Sequence, residues 1–324
     1  QNWFFSIQRE LFRNTVFDIA YVGNRSNKLI LFADYNQARP NNPGENTPLA
    51  ARRPIQGFGA ITITCPCGWA NYHALQLRFE RRYGAGLSFL NSFTWAKALD
   101  NVGQALEDQG NGNRSSPQNF YDLRNEKGPS GYDQRLNNTT AVVWDVPVGR
   151  GRRLGSSMHS ALDGVAGGWQ ISGIHTATSG EPLNVLYSPA AGFQVSDITD
   201  DWRGASSLRP NLVGQAVMPE SQRRGTRFWL DPAAFAIPTD VSRPFGNLGR
   251  NSIRGPSFFQ PDLNVQKSFR ITERAAVQFR SEFFNLLNRT NFRAPVVNRS
   301  ASNFGQFTTT YQPRQIQFAL KLTF

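Results

Sequence analysis

Apolar and polar residues alternate without a break at the end of the chain. In the segment from Pro313 to Phe324, every second residue from Ile316 onward is apolar, namely Ile316, Phe318, Leu320, Leu322 and Phe324. Successive side chains of a β-strand point to opposite faces, so this pattern predicts a strand with one apolar and one polar face. Such a strand either covers a protein core or spans a membrane with its polar face toward an aqueous lumen. The alternation alone does not distinguish the two cases.

The same alternation recurs along the chain and predicts nine long antiparallel strands. A further short strand is expected at 58–64, and residues from about 30 to 57 have a loop composition rich in Asn, Pro, Gly and Arg. The segments that carry the long strands are 3–12, 17–22, 72–83, 87–95, 142–146, 169–173, 263–269, 277–283 and 313–324.

The connections between these strands alternate between tight and long. Tight turns are predicted near residues 13, 84, 150 and 272, and long loops at about 30–70, 100–134, 183–256 and 288–308. Outer-membrane barrels have short periplasmic turns and long extracellular loops, whereas a soluble β-sandwich has no reason to sort its loops by side. The pattern therefore predicts a transmembrane β-barrel whose last strand ends in the periplasm.

Composition agrees with this fold and excludes spanning by helices. Hydrophobic residues make up 39% of the chain, the mean hydropathy is −0.45, and no apolar run of about 18 residues occurs. In a barrel, half of each strand and all of the loops can be polar, and the 25 Phe residues suit aromatic girdles at the membrane interfaces.

The net charge of +12 does not indicate a nucleic-acid-binding protein. Lys and Arg are scattered rather than gathered into a recognised binding motif, apart from small clusters at turns such as Arg150, Arg152 and Arg153. A basic barrel that faces anionic lipid headgroups accounts for this charge more simply.

The beginning of the chain indicates a fragment. Residue 1 is Gln rather than Met, strand-like sequence follows at once, and no signal peptide is visible. Nine strands is an odd number, whereas bacterial barrels usually have an even number with both ends in the periplasm. We therefore expect at least one strand, and the export signal, to precede Gln1.

Several phrases together resemble the C-terminal barrel of Oar-like TonB-dependent receptors, large proteins common in acidobacteria. The phrases lie at 20–25, 71–76, 93–97, 145–152, 168–173, 282–288 and 314–321. The resemblance spans nearly the whole chain and implies that residues 1–324 are about the second half of a barrel of about 22 strands. It also implies that a carboxypeptidase-regulatory-like domain and a plug precede the barrel, and neither these nor a TonB box is in this sequence.

The resemblance further implies what the protein does and which partners it has. The extracellular loops would capture a solute, and the TonB complex would drive its uptake through the plug. The terminal alternating strand, with Phe324 at its end, would be the signal read by the barrel-assembly machinery. The identity of the solute does not follow from the sequence.

Two groups of candidate site residues follow from this interpretation. Polar residues on the lumen side of the strands either line the solute path or simply pair across strands; they are Gln76, Arg78, Glu80, Asp145, Gln278, Arg280 and Glu282. Aromatic residues of a long loop either contact the solute or pack within the loops; they are Trp202, Phe228 and Trp229.

Other chemistry-bearing residues give weaker indications. Cys65 and Cys67 are separated by one residue, so a disulfide between them closes a small ring, and without a second Cys pair or a His cluster they do not support a closed zinc site. The oxidising envelope would allow a loop disulfide. His175 lies in register with lipid-facing residues, which suggests a barrel–barrel seam or a local register shift. A calcium site is conceivable at the loop carboxylates Asp197, Asp200 and Asp201, although an ordinary solvated loop fits them better.

No catalytic motif occurs in the sequence. A nucleophile elbow, a phosphate-binding loop and a dinucleotide-binding motif are all absent. We therefore expect neither enzymatic activity nor a bound cofactor. Two alternatives to a transporter stay open at this stage: a structural or adhesive outer-membrane barrel, and a secreted β-rich carbohydrate-binding protein.

Overall fold

The computed structural model describes residues 1–84, 86–102, 116–196, 208–223, 225–272 and 274–324. Nine long strands form one antiparallel sheet in which each long strand pairs with the next one along the chain. Their bounds are Asn2–Phe12 (β1), Thr15–Asp34 (β2), Thr62–Gly84 (β3), Leu87–Asp100 (β4), Leu136–Asp145 (β5), Trp169–Thr178 (β6), Phe258–Arg270 (β7), Ala276–Phe284 (β8) and Gln315–Thr323 (β9).

The predicted all-β antiparallel fold with nine long strands is confirmed. In the described part of the chain the sheet is open, and β1 and β9 form its two edges. A sheet of this order, with strands that alternate in direction and follow the chain sequence, is typical of an up-and-down barrel.

Shorter elements occupy the connections. Within the described ranges, the helices are α1 (Ser160–Ala166) and α2 (Glu220–Arg223), and 3₁₀ turns lie at Leu49–Arg52, Leu123–Glu126, Ala191–Phe193 and Pro232–Ala234. Two-residue strands lie at Gly128–Pro129, Pro182–Leu183, Asn211–Leu212, Phe235–Ala236 and Ile253–Arg254. Among the described residues, no helix combines the length and apolarity that crossing a membrane requires.

The register of the strands separates an apolar face from a polar face. Ile19 of β2 pairs with Leu77 of β3, which pairs with Phe93 of β4. Directly paired residues share a face of the sheet, so this row defines what we call the apolar face. In the adjacent row, Arg78 of β3 pairs with Ser92 of β4, and their side chains lie on the opposite side of the sheet, which we call the polar face. The alternation predicted from the sequence is therefore carried through the sheet.

Three of the four connections predicted to be tight are short. Two residues separate β1 from β2, where Asn14 takes a positive φ of 62°. Two residues also separate β3 from β4, and five separate β7 from β8. These three turns lie at one end of the sheet, and the long connections leave from the other end.

The prediction of a tight turn near residue 150 is wrong. The connection from β5 to β6 covers residues 146–168 and contains α1. Its bends use glycines with positive φ, at Gly149, Gly151, Gly155 and Gly168. With only seven residues and an internal glycine, α1 is too short to show a helical period in the sequence.

The hairpin of β2 and β3 is longer than the sequence indicated. β2 continues to Asp34, within a segment predicted as loop, and β3 begins at Thr62, so the end of the short strand predicted at 58–64 is the start of β3. Leu31 pairs with Cys65 there and is buried, because residues of the next long connection, including Phe120, pack over this part of the hairpin. Burial on a folded connection stabilises strand pairing that local composition did not predict.

The largest hydrophobic cluster lies outside the nine-stranded sheet, in the long connections. Its members are Leu183, Val185, Leu230, Ala234, Phe235, Leu248, Ile253, Val297 and Phe304. They come from the connections after β6 and after β8, which therefore fold against each other. We call the described residues of the four long connections, within 35–61, 101–135, 179–257 and 285–314, the cap.

Candidate functional site

A buried ion pair joins two connections of the cap. Nη1 of Arg209 lies 2.8 Å from Oε2 of Glu126, and both side chains are 2% exposed. Arg209 also donates from Nε to the carbonyl of Leu248 at 2.9 Å. The bidentate fork of the guanidinium thus spans the connection after β4 and the connection after β6.

A second buried arginine ties the cap to the sheet. Arg250 pairs with the carboxylate of Asp100, the last residue of β4, and its Nη2 donates to the carbonyl of Asp100 at 2.9 Å. Its Nε donates to the carbonyl of Glu126 at 2.7 Å. Arg209 and Arg250 therefore meet at one 3₁₀ turn, Leu123–Glu126, which lies at the junction between the loops and the wall.

The first long connection is fixed in a similar way. Nη1 of the buried Arg53 lies 3.2 Å from Oδ2 of Asp34, at the end of β2. The same carboxylate oxygen accepts a hydrogen bond of 2.7 Å from Oγ of Ser196, which belongs to the connection after β6. Three long connections are consequently linked through buried or part-buried charged groups, so the cap has one defined arrangement.

Burial changes the acid–base properties of two groups in the cap. The hydroxyl of Tyr187 donates to the carbonyl of Pro244 at 2.6 Å, and burial raises the pKa of Tyr187 well above its usual value. Burial also raises the pKa of Glu181, and the nearby Arg293 opposes this shift. Both groups are therefore held toward their neutral forms.

Two of the three predicted aromatic loop residues, Phe228 and Trp229, pack within the cap. Trp229 packs against the main cluster, and its Nε1 donates to the carbonyl of Arg254 at 2.9 Å. The guanidinium of Arg223 lies 4.4 Å from the centre of its ring. Phe228 is half-buried, and its backbone forms an isolated antiparallel β-bridge with Gln306. Trp202 lies outside the described residues.

The predicted lumen-side residues all lie on the polar face, in two separate groups. On β3, Nη2 of Arg78 lies 2.7 Å from Oε2 of Glu80, and Gln76 pairs with Thr94 of β4. The second group lies on the same face of more distant strands, on β5 and β8, and comprises Asp145, Gln278, Arg280 and Glu282.

The second group forms hydrogen bonds along and across strands. Oδ1 of Asp145 accepts from Nε2 of Gln170 at 2.7 Å, and Nη1 of Arg280 lies 3.3 Å from Oε1 of Glu282. Glu282 also accepts a hydrogen bond from Gln317 of β9. Each of these contacts fits the simpler of the two sequence interpretations, in which polar residues pair with one another to keep this face hydrated. That some of these residues line the path of a solute stays a prediction.

Sequence reasoning missed an apolar groove on the polar face. A pocket of about 370 Å³ is lined by Ala141, Val143 and Ile174, with Asn264 and Glu282 beside them. The Ile174 side chain is 54% exposed, although its neighbours in the β6 alternation predict a polar residue at that position. That break in alternation was the available signal. This groove is a small apolar surface within the polar face. Such a surface suits contact with another protein segment or an amphiphilic solute.

The remaining candidates have definite positions. Cys65 and Cys67 are joined by a disulfide in β3. His175 pairs with Thr140 and Pro261 in regular register, and its ring centre lies 4.8 Å from that of Phe259. The suggested register shift is therefore wrong, and the barrel–barrel seam stays a prediction.

No cluster of three or more metal-binding side chains occurs among the described residues. The three loop carboxylates considered for calcium, Asp197, Asp200 and Asp201, lie outside that part of the chain.

The residues predicted as an assembly signal form one exposed apolar row on β9. Ile316, Phe318, Leu320 and Leu322 pair with Phe283, Ser281, Phe279 and Val277 of β8. Phe324 follows the strand and is 94% exposed. Their outer edge has no partner strand in the described structure.

Comparison with known families gives one match that covers nearly the whole chain. The model of a family described as "Outer membrane beta barrel domain" matches residues 1–317. No curated protein shows significant similarity to the chain.

Among solved structures, the chain is similar to the outer membrane transporter YddB from Escherichia coli, with 10% identity and a TM-score of 0.45. The match covers 99% of this chain and 32% of that one. A variant of the ferric enterobactin receptor PfeA from Pseudomonas aeruginosa matches with 11% identity and a TM-score of 0.43, covering 99% and 30% of the two chains. The chain thus spans about a third of the length of these structures.

Proposed function

We propose that this chain, which belongs to the family of outer membrane β-barrel domains, is the C-terminal part of the barrel of a TonB-dependent receptor. Membership of the family places the chain in the outer membrane of a Gram-negative bacterium, with its apolar face in contact with lipid. The proposal adds that the barrel is of the Oar-like type, that a plug outside residues 1–324 fills its lumen, and that it takes up a solute.

One observation carries the proposal, namely the cap. Adhesion needs only exposed loops, whereas solute capture needs a loop surface of fixed shape above the lumen. The buried pairs of Arg209, Arg250 and Arg53 fix the loops relative to the wall. The polar face below the cap supplies a hydrated wall, and its apolar groove around Ile174 offers a surface for the plug. The sequence resemblance supports the same assignment.

Uptake would follow a simple course under this proposal. A solute binds to the cap, the plug rearranges when the TonB complex pulls on it, and the solute passes along the polar face into the periplasm. Transport of this kind requires binding and gating and includes no covalent step.

The proposal is tested by accumulation in cells that express the complete receptor, with and without TonB. The probes are a ferric siderophore and a fluorescent maltodextrin, because the class of solute is open. We expect TonB-dependent accumulation of at least one probe, and loss of that accumulation when Arg209→Met loosens the cap. Arg243→Met is the matched control, since the Arg243 side chain is 86% exposed in the same connection.

A structural or adhesive barrel is the alternative. It predicts that neither probe accumulates in a TonB-dependent way, while the cells still adhere to a matrix. That combination would overturn the transport proposal.

A further inference from the structure

Helix α1 lies against the apolar face of the barrel, at the end where the short turns lie. Three carbonyls of its last turn, those of Asp163, Gly164 and Val165, accept hydrogen bonds from Nζ of Lys267 at 3.3, 2.7 and 3.2 Å. Nε1 of Trp169 donates to the carbonyl of Val165 at 2.8 Å. The carbonyl of Asp163 also accepts from the backbone N–H of Gly167 at 2.9 Å. For Gly164 and Val165, the contacts satisfy carbonyls that the helix end leaves without intrahelical partners.

Lys267 and Trp169 identify the side of the wall on which the helix lies. They pair directly with each other, and each belongs to the row of its strand that faces lipid, with Ile171 and Val265 one step further in. The ammonium group of Lys267 lies 5.4 Å from the ring centre of Trp169 and 5.0 Å from that of Phe269. The helix is therefore outside the lumen. β5, β6 and β7 are interior strands, so further barrel strands added at β1 or β9 would not cover it.

The helix exposes apolar side chains at this place. Leu162 is 62% exposed, Val165 is 72% exposed, and Leu154 in the same connection is 55% exposed. The single acidic residue of the segment, Asp163, is turned inward, where its Oδ1 accepts a hydrogen bond of 2.6 Å from the backbone N–H of Arg150. Exposed apolar groups beside a lipid-facing wall are continuous with the surface that lipid already contacts.

The same connection carries three cations. Arg150, Arg152 and Arg153 are exposed, and their side chains make no hydrogen bond or ion pair within the residues that the structure describes. Apolar residues next to unpaired cations are the combination that lets a short helix lie in a membrane interface, with its apolar side among the acyl chains and its cations at anionic headgroups.

We propose that residues 146–168 form an interfacial anchor in the periplasmic leaflet of the outer membrane. Leu162 and Val165 insert at the boundary between headgroups and acyl chains, and the three arginines bind anionic phospholipid headgroups. Lys267 and Trp169 hold the helix against the barrel, so that the anchor fixes the height and tilt of the barrel in the bilayer. This role is independent of transport and holds equally for an adhesive barrel.

Depth-dependent quenching of a fluorescent label tests the insertion. The intact protein is reconstituted in vesicles of phosphatidylethanolamine and phosphatidylglycerol, and an environment-sensitive label is attached to Val165→Cys without reducing the Cys65–Cys67 disulfide. Val213→Cys, in the cap and 63% exposed, is the matched control. We expect spin-labelled lipid to quench the label at position 165 severalfold more than the label at 213, and aqueous iodide to do the reverse.

A label at position 165 that iodide quenches as readily as the control would overturn the proposal, because the helix would then lie in water. A label protected from both quenchers would overturn it too, since a protein surface would then cover the helix. Neither outcome depends on uptake of a solute, so failure of the anchor is distinguishable from failure of the transport function.

A second variant tests the arginines without altering the helix. Replacing Arg150, Arg152 and Arg153 together by Gln should weaken quenching by lipid in phosphatidylglycerol vesicles and change nothing in pure phosphatidylcholine. Equal behaviour of the variant and the parent protein in both kinds of vesicle would refute the role of the cations. Heat-modifiable migration on gels confirms in each case that the barrel has folded.

Discussion

Removal of the Arg209 side chain should loosen the cap far more than any surface substitution in the same connection. In Arg209→Met, Glu126 would keep its burial but lose both contacts to the guanidinium, at 2.8 and 3.2 Å. Breaking a buried pair by removing one partner costs about 3–5 kcal/mol, because an uncompensated charge stays buried. Both side chains are 2% exposed, so no reduction for solvent screening applies.

Hydrogen exchange measures this loss directly. The backbone N–H of Gln118 donates to Oε1 of Glu126 at 3.1 Å, and that of Arg209 donates to Oε1 of Gln118 at 3.2 Å. At about 1.4 kcal/mol per tenfold change, the exchange of these amides should accelerate by roughly two to three and a half orders of magnitude. Amides in the centres of β4 and β5 should be unaffected, because the barrel wall does not depend on this pair.

Two further variants separate the ion pair from general damage. Arg243→Met should change exchange little, since exposed pairs contribute about 0–1 kcal/mol. Combining Arg209→Met with Glu126→Leu should restore much of the protection of the amide at position 209, because no charge then stays buried without a partner. The Gln118 amide loses its acceptor in this double variant and is not used for the comparison. If Arg209→Met exchanges like Arg243→Met, the cap does not rely on the buried pair, and the reasoning is refuted.

Three other predictions follow from the terminal strand and the cap. Leu320→Arg should destabilise the barrel by about 2–4 kcal/mol if the side chain lies near the bilayer midplane, whereas Lys321→Arg should be tolerated. Urea titrations in vesicles measure both effects, and equal free energies of unfolding for the two variants would contradict the assigned faces. Deleting Phe324 should lower the amount of heat-modifiable protein in the outer membrane, and normal amounts would count against the assembly signal. Burial raises the pKa of Glu181, so its carboxyl ionises at a lower pH in the unfolded chain than in the folded one. The contribution of Glu181 to the free energy of unfolding is therefore greatest below the ordinary pKa of Glu, and it falls as pH rises through the pKa in the folded state. Glu181→Gln should remove this fall and stabilise the cap at neutral pH, which exchange measured at two pH values would detect.

Local pattern was sufficient for the strands and their faces. The period of two is a property of the pleated backbone itself, so alternation in 72–83 or 263–269 already indicates which side chains share a side. The loop lengths were equally local, and they placed the tight turns at one end. The structure extended the β2–β3 hairpin to Asp34 and Thr62, where packing by a distant connection buries the strands.

Local pattern failed where contacts are distant in sequence. Arg209 and Glu126 are 83 residues apart, and Arg250 and Asp100 are 150 apart, so each looks like an ordinary solvated charge in its own loop. Helix α1 likewise depends on Lys267, more than a hundred residues away, to satisfy its last carbonyls.

The sequence by itself thus determined a sheet with one apolar and one polar face, because pleat geometry acts between neighbouring residues. Only the tertiary structure decided that the loops form a cap and that α1 lies on the lipid side of the wall. A buried charge is stable only beside its partner, and the chain fold alone brings such partners together.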